Sequence, residues 1–157
     1  MRLHRRIIPV VVALLSLVAV SGCSSGDLDP KQTVIRFFGA MERDDQAALT
    51  ALLDLPALMG STLEDYSLKS DTPRVFTNPE QLLEDLTGDG FTKKRWFALQ
   101  RIIGESEVSG ESATVEVTFV DKEKSRGYLT KFGLHVVNGK WRIYSFRTFQ
   151  EPPGSAG

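Results

Sequence analysis

At 157 residues, 41% of them hydrophobic and 25% charged, the chain has room for one domain around one hydrophobic core. Its 19 Lys and Arg against 20 Asp and Glu leave a net charge of −1, which argues against the basic face that nucleic acid demands. Cys23 is the only cysteine, so no internal disulfide can form.

The first 22 residues have the layout of an export signal. Arg2, Arg5 and Arg6 make a basic start, and Ile7 to Val20 is an apolar run of 14 residues, too short to span a bilayer comfortably. The run ends at Val20-Ser21-Gly22-Cys23. This resembles the lipobox of bacterial lipoproteins: an aliphatic residue, two small ones, then the cysteine that takes a diacylglyceryl group. The resemblance implies cleavage before Cys23 and a mature chain of 135 residues with a net charge of −4. It also implies several acyl chains at Cys23, and two membrane signals already suffice for stable anchoring. The expected location is the extracytoplasmic face of the cell envelope. In a host with two membranes, Ser24 in place of an aspartate points to the outer one.

Residues 23–28 read as the lipidated cysteine and a short tether. Asp29-Pro30-Lys31-Gln32 then starts a helix, with Asp29 as N-cap and Pro30 in the first turn. Val34, Ile35, Phe37, Phe38 and Met41 follow as an apolar stripe. Asp44 or Asp45 caps a second helix carrying Ala48, Leu49, Leu52 and Leu53, expected to stop before Pro56. Residues 55–77 show no clear period. Asn78-Pro79-Glu80-Gln81 repeats the first start signal and opens a helix that ends at Gly88. From Arg95 the period becomes two, predicting strands over 96–108, 113–119, 127–137 and 140–149, with Asn138-Gly139 as a tight hairpin turn. The tail, 151–157, is expected to be disordered.

Helices followed by an antiparallel meander predict an α+β domain over 29–150, with the helices packed on one face of the sheet. Thr33-Val34-Ile35-Arg36-Phe37-Phe38-Gly39-Ala40-Met41-Glu42 through Leu49 resembles the opening helix pair of nuclear transport factor 2-like domains. Gly139-Lys140-Trp141-Arg142-Ile143 resembles their last strand. The resemblance implies a curved sheet wrapping a long helix into a cone with a pocket. Relatives similar to ketosteroid isomerase use a pocket carboxylate as base. The nearest match to that role is Asp54, with Tyr66 or Tyr128 as proton donor.

A two-residue turn at 138–139 pairs Val137 with Lys140, which sorts the last two strands into faces. Tyr128, Thr130, Phe132, Leu134 and Val136, with Trp141, Ile143, Ser145, Arg147 and Phe149, form the face assigned to the helices. Its polar members Thr130, Ser145 and Arg147, joined by Tyr128 and an inward Gln100, are the expected ligand contacts. In that site Arg147 holds the anionic end of an amphiphile. The opposite face carries His135, Arg142, Tyr144 and Phe146, and Tyr144 with Phe146 are the expected homodimer patch. His135 reads as a solvated strand residue. No spacing suggests a metal site or a cofactor. Lys93-Lys94-Arg95 reads as a solvated strand start rather than a headgroup site.

These features favour a membrane-anchored, non-catalytic envelope lipoprotein that binds a small apolar or amphiphilic ligand or a partner protein. The alternatives are an isomerase- or dehydratase-like enzyme using Asp54 and a dimeric structural module.

Overall fold

The computed structural model describes residues 29–60 and 76–150, without the side chains of 60 and 147–150. The expected signal peptide, Cys23 and its tether, the stretch 61–75 with Tyr66, and the tail 151–157 lie outside the described residues.

Helix α1 (Pro30–Glu42) begins as expected, with the Asp29 side chain accepting from the Gln32 N–H. Val34, Phe37, Phe38 and Met41 are buried along one stripe, while Ile35 turns outward. Three residues later Asp45 caps α2 (Gln46–Leu52) through the Ala48 N–H. Helix α2 ends before Pro56 as expected, but a further helix follows it at once. Asp54 accepts from the Ala57 N–H and starts α3 (Leu55–Gly60), with Pro56 in its first turn, where no intrahelical N–H is needed. Asn78 caps α4 (Pro79–Leu86) through the Gln81 N–H.

The largest departure from expectation lies at 91–97. Instead of starting a strand, Phe91–Phe97 forms a fifth helix, α5. The buried Asp85 carboxylate at the end of α4 accepts from the N–H groups of Phe91 and Thr92 and from the Thr92 hydroxyl, replacing the carbonyl partners a helix start lacks. Gly90 precedes it because a Cβ there would run into the backbone of Glu84 and Asp85. The basic cluster Lys93-Lys94-Arg95 therefore occupies the later part of a helix. Lys94 and Arg95 stand in its last turn, where cations oppose the helix dipole favourably.

Strands β1 (Gln100–Ser109), β2 (Ser112–Asp121), β3 (Arg126–Val137) and β4 (Lys140–Gln150) form one antiparallel sheet in the order β1-β2-β3-β4. Ala113, Val115, Val117 and Phe119 are buried on the helix side, alternating with more exposed residues. The turn at Asn138 and Gly139 has positive φ at both residues, 52° and 73°, as a primed hairpin turn requires.

The β3–β4 pairing starts in the expected register and then shifts. Val137 faces Lys140 and Leu134 faces Ile143, but Gly133 faces Ser145 and Phe132 faces Phe146. Tyr144 is the extra residue, a β-bulge. Ser145 and Phe146 therefore lie on the opposite faces from those the sequence suggested. The exchange puts Phe146 inside, fully buried, and Ser145 outside. Burying a phenylalanine stabilises by about 2 kcal/mol, whereas keeping the original register would have turned Ser145 and Arg147 into the core. Gly133 makes the shift possible: a Cβ there would meet Tyr144 Cζ at 2.9 Å and collide with Ser145 Oγ.

Candidate functional site

The concavity between helices and sheet is occupied by the protein itself. Phe37, Phe38, Trp96, Phe119, Phe132 and Phe146 pack there, none more than 5% exposed. Phe132 meets Phe146 at 5.1 Å and Phe37 at 5.8 Å between centroids, and Trp96 stacks on Phe119 at 5.3 Å. Edge-to-face and stacked pairs of this kind add about 0.5–1.5 kcal/mol each beyond area burial. The Trp96 indole N–H is buried with no hydrogen-bond partner among the described residues.

The residues expected to meet a ligand are not brought together. Thr130 is fully buried on the helix side, and Tyr128 is half-buried on that side beside Phe119. The bulge puts Ser145 on the outer face, and Arg147, whose side chain is not described, pairs in backbone register with Lys131. Gln100 pairs with Val120, out of phase with the buried Phe119, and is exposed. The inward residue of that pair of positions is Arg101, which the sequence did not single out. Its guanidinium lies 3.9 Å from the Phe97 centroid and 5.1 Å from that of Phe38, and burial pulls its pKa below the ordinary arginine value. It closes one end of the aromatic core as a cation over ring faces. The expected dimer patch fails for the same reason as the ligand site. Phe146 is in the core, and Tyr144 lies down across Gly133 against the His135 ring, 4.8 Å between centroids.

A polar cluster forms on the outer face, near the β4 edge. Asp54 Oδ2 lies 2.7 Å from His135 Nε2 while its Oδ1 caps α3. The Asp54 N–H donates to the Ile143 carbonyl at 2.8 Å, and Leu53 bridges Ile143, so the α2–α3 connection is stitched to β4. Arg142 Nη1 reaches toward the Leu53 carbonyl at 3.5 Å. Asp54 thus holds a histidine instead of facing a pocket, and His135 is partnered instead of solvated. The sequence carried one overlooked signal for this: Asp54 stands before Leu55-Pro56 as Asp29 stands before Pro30. The pairing across 81 positions had no signal at all. Because Asp54 both caps a helix and clasps His135, Asp54→Ala is expected to cost about 1–2 kcal/mol in urea unfolding. His135→Ala, which leaves the cap, should cost less. Equal unfolding midpoints for Asp54→Ala and the parent chain would contradict the clasp.

Elsewhere the ionic groups tie helices together. Asp44, after α1, accepts from the Lys93 ammonium and the Gly88 N–H, and these bonds, Lys93 first, hold its carboxyl below the ordinary value. Its small contribution is present above the unfolded pKa and fades as the pH falls through the lowered one. A surface depression of about 950 Å³ between α4 and α5 is walled by Phe76, Glu84, Phe91, Lys94 and Arg95, outside the sheet's concavity. Among the described residues no group of three His, Cys, Asp or Glu side chains is placed to hold a metal, and no helix is long and apolar enough to cross a membrane.

No protein-family model and no curated protein matches the sequence. Solved structures do match in fold. A nuclear transport factor 2-like protein of unknown function from Methylobacillus flagellatus aligns over 83% of this chain and 97% of its own, with a TM-score of 0.52 at 16% identity. The fold is nuclear transport factor 2-like. A candidate dehydratase from the same family in Streptomyces avermitilis aligns over 77% of this chain and 93% of its own, with a TM-score of 0.50 at 16% identity. At such identities the likeness is one of architecture, and a nuclear transport factor 2-like sheet hosts many functions. In this chain the place where that architecture would open a pocket is filled with rings.

Proposed function

We propose that the protein is a lipid-anchored lipoprotein of the cell envelope whose nuclear transport factor 2-like domain is non-catalytic and acts through its outer surface on a partner at the membrane. The observation that carries the reading is Val20-Ser21-Gly22-Cys23, placed directly behind a basic start and the apolar run Ile7–Val20. The filled concavity supports the non-catalytic part. An interior apolar ligand would need the space of Phe37, Phe132 and Phe146, all fully buried. Ser24 favours the outer membrane where the host has two. The test is metabolic labelling with palmitate. The parent chain should take up label, while Cys23→Ser should take up none and accumulate as uncleaved precursor. Label in the Cys23→Ser chain would overturn the reading.

One observation favours a second reading, an enzyme of the isomerase or dehydratase kind. Asp54 and His135 form a partly buried acid–base pair, and such pairs move protons. Under that reading Asp54→Asn and His135→Ala abolish turnover of an enolisable ketone probe with little loss of stability. The non-catalytic reading expects no turnover from the parent chain.

A further inference from the structure

We propose that the two hairpin ends of the sheet, around Val108–Ser112 and Val137–Trp141, are the membrane-facing end of the domain and rest on phospholipid headgroups. This rests on the anchoring of Cys23 and adds to it a fixed orientation and a contact surface.

Two contacts orient α1 against β1. Lys31, at the start of α1, bridges Glu105 of β1 at 3.1 Å, while Phe38, two turns later, lies under Arg101 of β1. Helix α1 and β1 therefore run in opposite directions, and β1 is heading past the start of α1 when it reaches Ser109. Four residues beyond Glu105 extend the strand by about 13 Å, whereas Asp29 lies only about 3 Å beyond Lys31 along the helix axis. The hairpin end thus stands about 10 Å further out than the helix start, in the same direction. At the other end of α1, Asp44 is fastened to Lys93 and Gly88 in the α4–α5 region. Helix α2 confirms the polarity on the opposite edge of the sheet. It starts beside Thr87, through the Gln46 amide, and ends with Asp54 on the Ile143 carbonyl, close to the β3–β4 turn. The two hairpins are tied to each other by the Val136 N–H on the Glu111 carbonyl.

The chain between Cys23 and Asp29 then limits where a membrane can lie. Six residue steps reach at most about 20 Å. Helix α1 alone is about 20 Å long, so presenting the α4–α5 end to the headgroups would use the whole tether merely to pass along the helix. Presenting the hairpin end requires no such detour. The surface there suits a headgroup layer. Ser109, Gly110, Ser112, Asn138 and Gly139 are small and exposed, with Lys140 exposed beside them. Val108 on β1 is 55% exposed and Trp141 on β4 is half-buried, so each edge of the sheet carries an apolar residue at this end. Lys31 is already paired with Glu105, so Glu107 and Glu111 outnumber Lys140 at this end, and a zwitterionic surface suits it better than an anionic one.

The full lipidated chain in phosphatidylcholine vesicles tests this. Once the Cys23 sulfur is a thioether, an introduced cysteine is the sole free thiol for a fluorophore. Labels at Glu111→Cys and Lys140→Cys should be quenched by headgroup-nitroxide lipid several-fold more than a label at Glu123→Cys, in the loop at the far end of the sheet. Equal quenching at the three positions, or more at 123, in chains that float with the vesicles overturns the orientation alone. A chain that does not float overturns the anchoring, and the orientation with it.

Discussion

Replacing Phe37 with alanine is expected to remove about 3–5 kcal/mol of stability, a loss at the top of the range for one buried side chain. Phe37 is fully buried and its ring touches four others: Phe38 at 5.3 Å, Phe146 at 5.6 Å, Phe132 at 5.8 Å and Trp96 at 6.3 Å between centroids. Deleting it leaves a void among rigid rings that cannot all shift inward together, so the cavity cost adds to the lost transfer energy. Against a typical total of about 5–15 kcal/mol, that change brings a domain without a disulfide close to unfolding. Ile35→Ala, two residues away on the outward side of α1, is the control and should stay within about 0.5 kcal/mol. Urea unfolding followed by tryptophan fluorescence reads both. A Phe37→Ala midpoint equal to that of Ile35→Ala would mean that the concavity is not the close-packed core described above.

Asp85→Ala should be nearly as damaging, at about 2–4 kcal/mol, for an electrostatic reason. Asp85 is 4% exposed, and its two oxygens take the Phe91 N–H at 3.1 Å, the Thr92 N–H at 3.4 Å and the Thr92 hydroxyl at 2.5 Å. Alanine would strand those donors at the buried start of α5. Helix α5 carries Trp96 into the aromatic core, so the damage should spread to the tryptophan signal. Asp85→Asn keeps an acceptor and should retain part of the stability. If Asp85→Ala and Asp85→Asn unfold at the parent midpoint, the carboxylate is not what makes 91–97 helical.

That helix shows where the sequence stops being legible. Its partner Asp85 stands six positions before Phe91, beyond the reach of ordinary N-cap patterns, and Arg95-Trp96-Phe97 reads as readily as a strand start. By contrast α1, α2 and α4 were legible because each opens on its own local cap: Asp29, Asp45 and Asn78. The turn at Asn138-Gly139 and the alternation of β2 were legible for the same local reason.

The candidate site fared worse than the fold because it depended on a register carried over distance. Pairing read outward from the turn is right as far as Ile143 and wrong after Tyr144, and one extra residue moved Ser145 and Phe146 to opposite faces. The cue was Gly133, a strand glycine where another residue approaches closely, but a glycine marks such a place without saying which strand bulges. The Asp54–His135 contact depended on an α2–α3 connection laid along β4, which no local pattern announces.

The mass of the N-terminal peptide of the protein extracted from its own membranes tests the central claim most directly. The account predicts a peptide beginning at Cys23, heavier by a thioether-linked diacylglyceryl group and an acyl chain on the new amino terminus. An unmodified Cys23, or a mature chain that begins at another residue, would contradict it.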